Sequence, residues 1–198
     1  MNVTRPRRES FAERRERRAA IDDPGVVLEA VARFLEARSR SVSEVRRRLG
    51  GAGYRPDLVE GAIVRMTELG MLDDEVFARA WVESRDRARP RGERAIRDEL
   101  RLKGIDRETV DTVLGERRDR AVMTVGDAGE DSVASPVSAD RAAAERLLVK
   151  NARALARVAD PRKRRQRAYA LLARHGFDPG TCRDVAETLD DAPDDDAP

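Results

Sequence analysis

One pattern occurs three times along this chain: Val45-x3-Leu49-x3-Gly53-Tyr54, Ile96-x3-Leu100-x3-Gly104-Ile105 and Ala168-x3-Leu172-x3-Gly176-Phe177. Each copy places two apolar side chains one helical turn apart, stops the helix at a glycine able to adopt a positive φ, and resumes with one apolar residue. The register continues beyond the glycines. Val59, Val110 and Cys182 stand six residues further on, and Ile63, Leu114 and Ala186 ten further on. Such periodicity predicts an all-α chain of tandem three-helix repeats, with function spread over similar surfaces instead of one pocket.

Composition agrees with small helical modules. Of 198 residues, 39% are charged and only 4% aromatic, which favours several thin cores over one large one. No apolar run approaches the roughly 20 residues that span a bilayer, and the start of the chain is rich in Arg and Glu, so a cytoplasmic protein without membrane attachment is expected. The single cysteine, Cys182, and single histidine, His175, cannot make an intramolecular disulfide or a Cys/His metal site. Cys182 occupies a position held by valine in the other copies and reads as a small core residue. The near-neutral total conceals a gradient: residues 141–177 carry eleven positive and two negative side chains, and 178–198 one positive and eight negative. An acidic end of this kind is commonly solvated, or it competes with an anionic partner for the basic block.

Residues 1–25 read as a flexible basic arm. Repeat 1 spans 26–70: Val27, Leu28, Val31, Phe34 and Leu35 form the stripe of a first helix, and Ser41-x2-Glu44 has capping-box spacing for a second. Pro56 opens a third, bearing Leu58, Val59, Ile63, Met66 and Leu69. Repeat 2 spans 71–121, with Phe77, Trp81 and Val82, then Ile96 and Leu100, then Val110, Val113 and Leu114. Residues 122–140 lose the helical period and read as a linker. Repeat 3, at 141–189, carries Leu148, Ala152 and Leu155, with Asp160-Pro161 and Asp178-Pro179 as helix starts; 190–198 form an acidic tail.

No enzymatic constellation is present in the sequence. Gly50-Gly51-Ala52-Gly53 lacks the Lys-Ser/Thr of a phosphate loop, Asp73-Asp74-Glu75 suits a helix cap and lacks calcium-loop spacing, and His175 has no nucleophile at motif spacing. Neither a cofactor nor a metal is expected. Three arginine groups stand out: Arg38 and Arg40 with Arg46 to Arg48; Arg85, Arg87, Arg89 and Arg91 in an extended connection; and Arg162, Lys163, Arg164, Arg165 and Arg167 at a helix start, where the macrodipole disfavours cations. Each reads either as a solvated face or as a contact for phosphate or an acidic protein. Phe77 and Trp81 lie on an apolar stripe and read as core, which leaves few aromatics for stacking bases.

Three segments resemble the RecX family of regulators of the RecA recombinase: Ala37-Arg38-Ser39-Arg40-Ser41-x2-Glu44-x4-Leu49-x3-Gly53-Tyr54, Leu69-Gly70-x-Leu72-Asp73-Asp74-x2-Phe77-Ala78-x2-Trp81-Val82-x2-Arg85, and Gly92-x3-Ile96-x2-Glu99-Leu100-x2-Lys103-Gly104-Ile105. The resemblance implies an elongated, curved array of three-helix repeats that lies in the groove of the RecA filament on DNA and limits filament growth, ATP hydrolysis and strand exchange. It implies RecA and its DNA filament as partners, with weak sequence-independent DNA binding; the absence of a large apolar stripe beyond each unit's own core predicts a monomeric chain. On this basis Arg38, Arg40, Arg85, Arg89, Arg91 and Lys103 are candidate filament contacts. Arg162, Lys163, Arg164, Arg165 and Arg167 are candidates for DNA phosphate or an acidic filament surface. A rival reading is a sequence-specific helix-turn-helix transcription factor, but the helix Leu58 to Leu69 is mostly apolar and carries one basic residue, Arg65.

Overall fold

In a computed structural model of the protein, residues 9–126 and 138–189 are described. They form ten α-helices: α1 (Phe11–Ala19), α2 (Pro24–Glu36), α3 (Val42–Ala52), α4 (Pro56–Glu68), α5 (Asp74–Ala88), α6 (Glu93–Leu102), α7 (Arg107–Gly126), α8 (Ala139–Ala156), α9 (Pro161–Arg174) and α10 (Pro179–Glu187). The chain divides into two compact units, one running up to Phe77 together with Lys103–Ile105, the other comprising Ala78–Leu102 and the residues from Asp106 on.

The helix starts follow from local chemistry. Ser41 accepts from the Glu44 amide at 3.2 Å while the Glu44 carboxylate accepts from the Ser41 amide at 3.4 Å, completing the expected capping box. Asp160 and Asp178 cap α9 and α10, each followed by a proline at the first helical position. Gly53, Gly104 and Gly176 all adopt positive φ, at 100°, 80° and 82°. At Gly53 and Gly176 the following amides, of Tyr54 and Phe177, reach back to the carbonyls of Leu49 and Leu172, which satisfies helix-end acceptors otherwise left bare.

In the first unit, Val27 and Val31 of α2, Val45 and Leu49 of α3, and Val59, Ile63 and Met66 of α4 close one core. In the second, Ala143, Leu147 and Leu148 of α8, Ala168 and Leu172 of α9, and Cys182 and Val185 of α10 close another. Cys182 is fully buried, as its repeat position requires. Two stripe residues depart from expectation. Leu69 lies at the C-cap of α4 and is half exposed, because the chain turns away there at Gly70; Ala152 is exposed while Leu148 and Leu155 alone carry that stretch of α8 inward.

Other departures concern boundaries. Within the stretch read as a flexible arm, Ser10 and Glu13 form a capping box that starts α1, and Asp23 with Pro24 already opens α2. Residues 122–126 continue α7, with no proline or glycine between Gly115 and Gly126, and Ser138 caps α8, whose amide of Arg141 donates to the serine. The rest of the expected linker, the first eight residues and the acidic tail lie outside the described residues.

Repeats are joined by one recurring contact. The carbonyl immediately before each turn glycine accepts a hydrogen bond from an earlier segment: Lys103 from the Ser41 hydroxyl at 2.6 Å, His175 from the Gly92 amide at 3.0 Å, and Ala52 from Arg18 Nη1 at 3.3 Å. Ser41 and Gly92 stand at the same repeat position, four residues before Val45 and Ile96. The glycine beside each acceptor is pressed against that segment. A Cβ at Gly104 would collide with Ser43, one at Gly176 with Ala95, and one at Gly53 with the backbone of Arg15. Helix α1 thus packs on the Gly53 turn, through Arg15 and Arg18 in its body and last turn instead of through its start.

Gly176→Ala should therefore cost about 1–3 kcal/mol, combining a strained positive φ with the Ala95 collision. Gly50→Ala, inside α3 with open space around it, should be neutral or stabilise by about 0.5–1 kcal/mol. Urea denaturation of the two variants checks the contrast.

Candidate functional site

The candidate cations separate into those held by carboxylates of the fold and those that are not. In the first unit, Glu44 is the organising acid. Its carboxylate accepts from Arg38 at 3.1 Å and 3.3 Å and from Lys103 Nζ at 2.6 Å, while also completing the α3 cap. Burial pushes its carboxyl upward, but the hydrogen bonds and charges of Arg38 and Lys103 outweigh that effect and hold its pKa at about 2. Lys103 is only 23% exposed and Arg38 45%. Arg40 lies with its guanidinium 4.3 Å from the Phe34 ring centroid, and its Nε is buried without a hydrogen-bond partner. Desolvation, helped by the neighbouring Arg38 charge, shifts the Arg40 pKa down.

Glu99 plays the same part in the second unit. It accepts from the Trp81 indole at 2.8 Å and from Arg85 Nε at 2.6 Å, with Arg91 at 3.6 Å. Arg85 stacks 4.2 Å over the Trp81 ring and is only 15% exposed. Trp81 is therefore not a core side chain but a half-buried platform whose polar edge needs the acid, a correction to its reading from the apolar stripe. Arg89, like Arg87, differs from Arg85 and Arg91. It is exposed, and among the described residues its side chain makes no ion pair or hydrogen bond.

Arg117, which sequence reasoning did not single out, is the most buried cation in the second unit, with a side chain 3% exposed. It bridges Asp86 of α5 at 2.9 Å and Asp140 of α8 at 2.5 Å, and Asp140 also accepts from the Glu93 amide that begins α6. Burial works against the charge, yet the two aspartates hold the Arg117 pKa above its ordinary value. No local pattern marks this residue, because its partners stand 31 and 23 positions away.

On α9, Arg162, Lys163 and Arg167 are exposed, whereas Arg164 and Arg165 are half-buried and Arg164 Nε is buried without a partner. Asp160 accepts from the amides of Arg162 and Lys163, so the only acid at this helix start is engaged in capping. Lys163 and Arg167 line a shallow depression with Arg157 and Gln166. Among the described residues no group of acids, histidines or cysteines is arranged to hold a metal, and no helix is long and apolar enough to cross a membrane. His175 closes α9, its Nδ1 2.8 Å from the Leu171 carbonyl.

This arrangement is an array of charged surfaces, and comparisons with known proteins identify the array. Residues 73–114, which are α5 to the first turns of α7, match the model of the RecX second three-helix domain, and 139–185, which are α8 to α10, match that of the third. The regulatory protein RecX of Mycobacterium marinum is 32% identical over 145 residues, 73% of either chain. The chain belongs to the RecX family. The RecX of Mycolicibacterium vanbaalenii is 40% identical over 100 residues, a match covering 48% of this chain and about half, 54%, of that relative. The crystal structure of RecX from Lactobacillus salivarius superposes with a TM-score of 0.66 at 19% identity, covering 85% of this chain and 97% of that one. A second RecX crystal structure gives 0.62 at 18% identity, covering 89% and 73%. These two likenesses bear on the fold, and they agree with the all-helical repeat architecture.

For a RecX chain, the structure recasts the family-like residues. Arg38, Glu44 and Lys103 come together, as do Trp81, Arg85 and Glu99, so part of each quoted motif is explained by internal ion pairing. Glu44 gives that pairing a pH signature. Its folded pKa of about 2 lies below the ordinary 4.5, so its stabilisation is present above about pH 4.5 and is lost as pH falls toward 2. The full shift corresponds to at most about 3 kcal/mol. Glu44→Gln should lower stability at pH 7 and flatten its pH dependence in that window, as measured by denaturant titrations at several pH values.

Proposed function

We propose that this chain binds the RecA recombinase and its nucleoprotein filament in the cytoplasm and limits filament extension, ATP hydrolysis and strand exchange. It acts as a regulator without chemistry of its own. Membership of the RecX family is the observation that carries the reading, and the architecture supports it: equivalent helix triplets repeat similar charged faces, as binding to successive subunits of a polymer requires.

The two kinds of cation have different parts in this proposal. Arg38, Lys103, Arg85 and Arg91 are shaped by Glu44 and Glu99, so they present guanidinium and ammonium groups already fixed in place, with less side-chain freedom to lose on binding. Arg89, just past the end of α5, projects without a carboxylate and is the leading candidate for a filament contact. Arg40, backed by Phe34, adds a partly desolvated charge. On α9, Arg162, Lys163 and Arg167 suit DNA phosphate or an acidic filament face, with Arg164 and Arg165 packed behind them.

The test is ATP hydrolysis by the cognate RecA on single-stranded DNA while the protein is titrated below one copy per RecA subunit. Inhibition at substoichiometric ratios is expected. Arg89→Glu should raise the concentration for half-inhibition about tenfold with an unchanged thermal transition. A triple Glu substitution at Arg162, Lys163 and Arg167 should reduce the salt dependence of inhibition. Full inhibition by the Arg89 variant removes that residue from the contact, and no inhibition by the folded wild-type chain removes the RecA reading itself.

A further inference from the structure

In the first unit, several basic side chains are held by carboxylates. Arg38 and Lys103 are held by Glu44, Arg46 by Glu60, Arg55 by Asp57 and Arg65 by Glu68. A groove of about 590 Å³ between α1, α2 and α3 gathers basic side chains without a carboxylate in its lining. Its rim carries Arg18, Arg33, Arg47 and Arg48. Among the described residues Arg47 makes no ion pair or hydrogen bond, Arg48 touches only the Phe34 ring at 5.8 Å, and Arg33 has a loose, exposed contact to Glu29 at 3.5 Å. The floor is apolar and mostly small: Ala30, Leu49, Gly51 and Ala52.

The third observation is Phe11. Helix α1 has no buried residue, yet its one large apolar side chain stands at the groove 62% exposed. Among the described residues nothing packs over it. Together, these features call for an occupant that is anionic and also covers apolar surface.

We propose that this groove is a docking site for a short acidic peptide segment of a partner protein, with one aliphatic side chain seated on the Ala30, Leu49 and Ala52 floor beside Phe11. Carboxylates of the segment pair with Arg47, Arg48 and Arg33, in the fork geometry that guanidinium offers to carboxylate. A peptide fits better than a single-stranded nucleic acid. Two guanidinium groups already lie against the Phe34 ring, at 4.3 and 5.8 Å, and Arg18 lies 5.5 Å from the Tyr54 centroid, so these rings are not open platforms for bases. Small aliphatic floor residues match a leucine-sized anchor instead. The proposal is independent of the RecA reading, since it follows from the charge and shape of this groove alone.

Fluorescence anisotropy on the full chain tests it with three labelled probes: an Asp/Glu peptide carrying one central leucine, a poly-Glu peptide of equal length, and an oligothymidylate of equal charge. The leucine-bearing peptide should bind most tightly. Arg47→Glu with Arg48→Glu should weaken it about tenfold or more, and Phe11→Ala should remove its advantage over poly-Glu. Both changes lie on exposed side chains, and circular dichroism melting should be unaltered. Equal binding of the two peptides, insensitivity to both variants, or preference for oligothymidylate each overturns the proposal.

Discussion

The close approach of a turn glycine to a helix of an earlier segment is the constraint on which the repeat architecture rests. It occurs at Gly53, Gly104 and Gly176, and at each the preceding carbonyl accepts a hydrogen bond from the segment it abuts. A side chain at any of these glycines would collide with the segment it abuts. The same residue thus ends a helix, through its positive φ, and joins one repeat to another, through its missing Cβ. Helix α1 uses the joint at Gly53 through Arg15 and Arg18, which explains how a helix without a buried residue is held on the fold.

A second layer of organisation is electrostatic. The chain is rich in arginine, and the fold uses much of that charge internally through a few half-buried acids. Glu44 holds Arg38 and Lys103, Glu99 holds Arg85 and Arg91, and Asp86 with Asp140 holds Arg117. A buried arginine bridging two helices is a costly element to break, since removing it leaves two acids without compensation. The consequence for function is a sorting of cations. Those anchored to acids define positions on the surface, and those such as Arg89, Arg47 and Arg167 make no ion pair among the described residues.

Much of the local structure was legible beforehand because its causes are local. The capping box at Ser41 and Glu44, the proline starts at Pro56, Pro161 and Pro179, the positive-φ glycines and the burial of Cys182 each depend on residues within a few positions of one another. The misreadings have a common origin. Trp81 sits on an apolar stripe, but whether its indole lies inside depends on Glu99, which comes from another helix. The arm at 11–19 has no apolar stripe to bury, so its docking on the Gly53 turn through Arg15 and Arg18 could not be read from periodicity.

What the sequence by itself determined is the sequence of modules: the helical period, the stops and caps, and three equivalent turns. These follow from backbone preferences and from side chains one or two turns apart, which any reader of the chain can align. Only the tertiary structure decided which arginines are partnered, because an ion pair such as Lys103 with Glu44 or Arg117 with Asp86 joins residues far apart in the chain. The groove of Arg47, Arg48 and Phe11 is a tertiary product for the same reason: its cations are brought together only by the packing of α1, α2 and α3, and no carboxylate lines it.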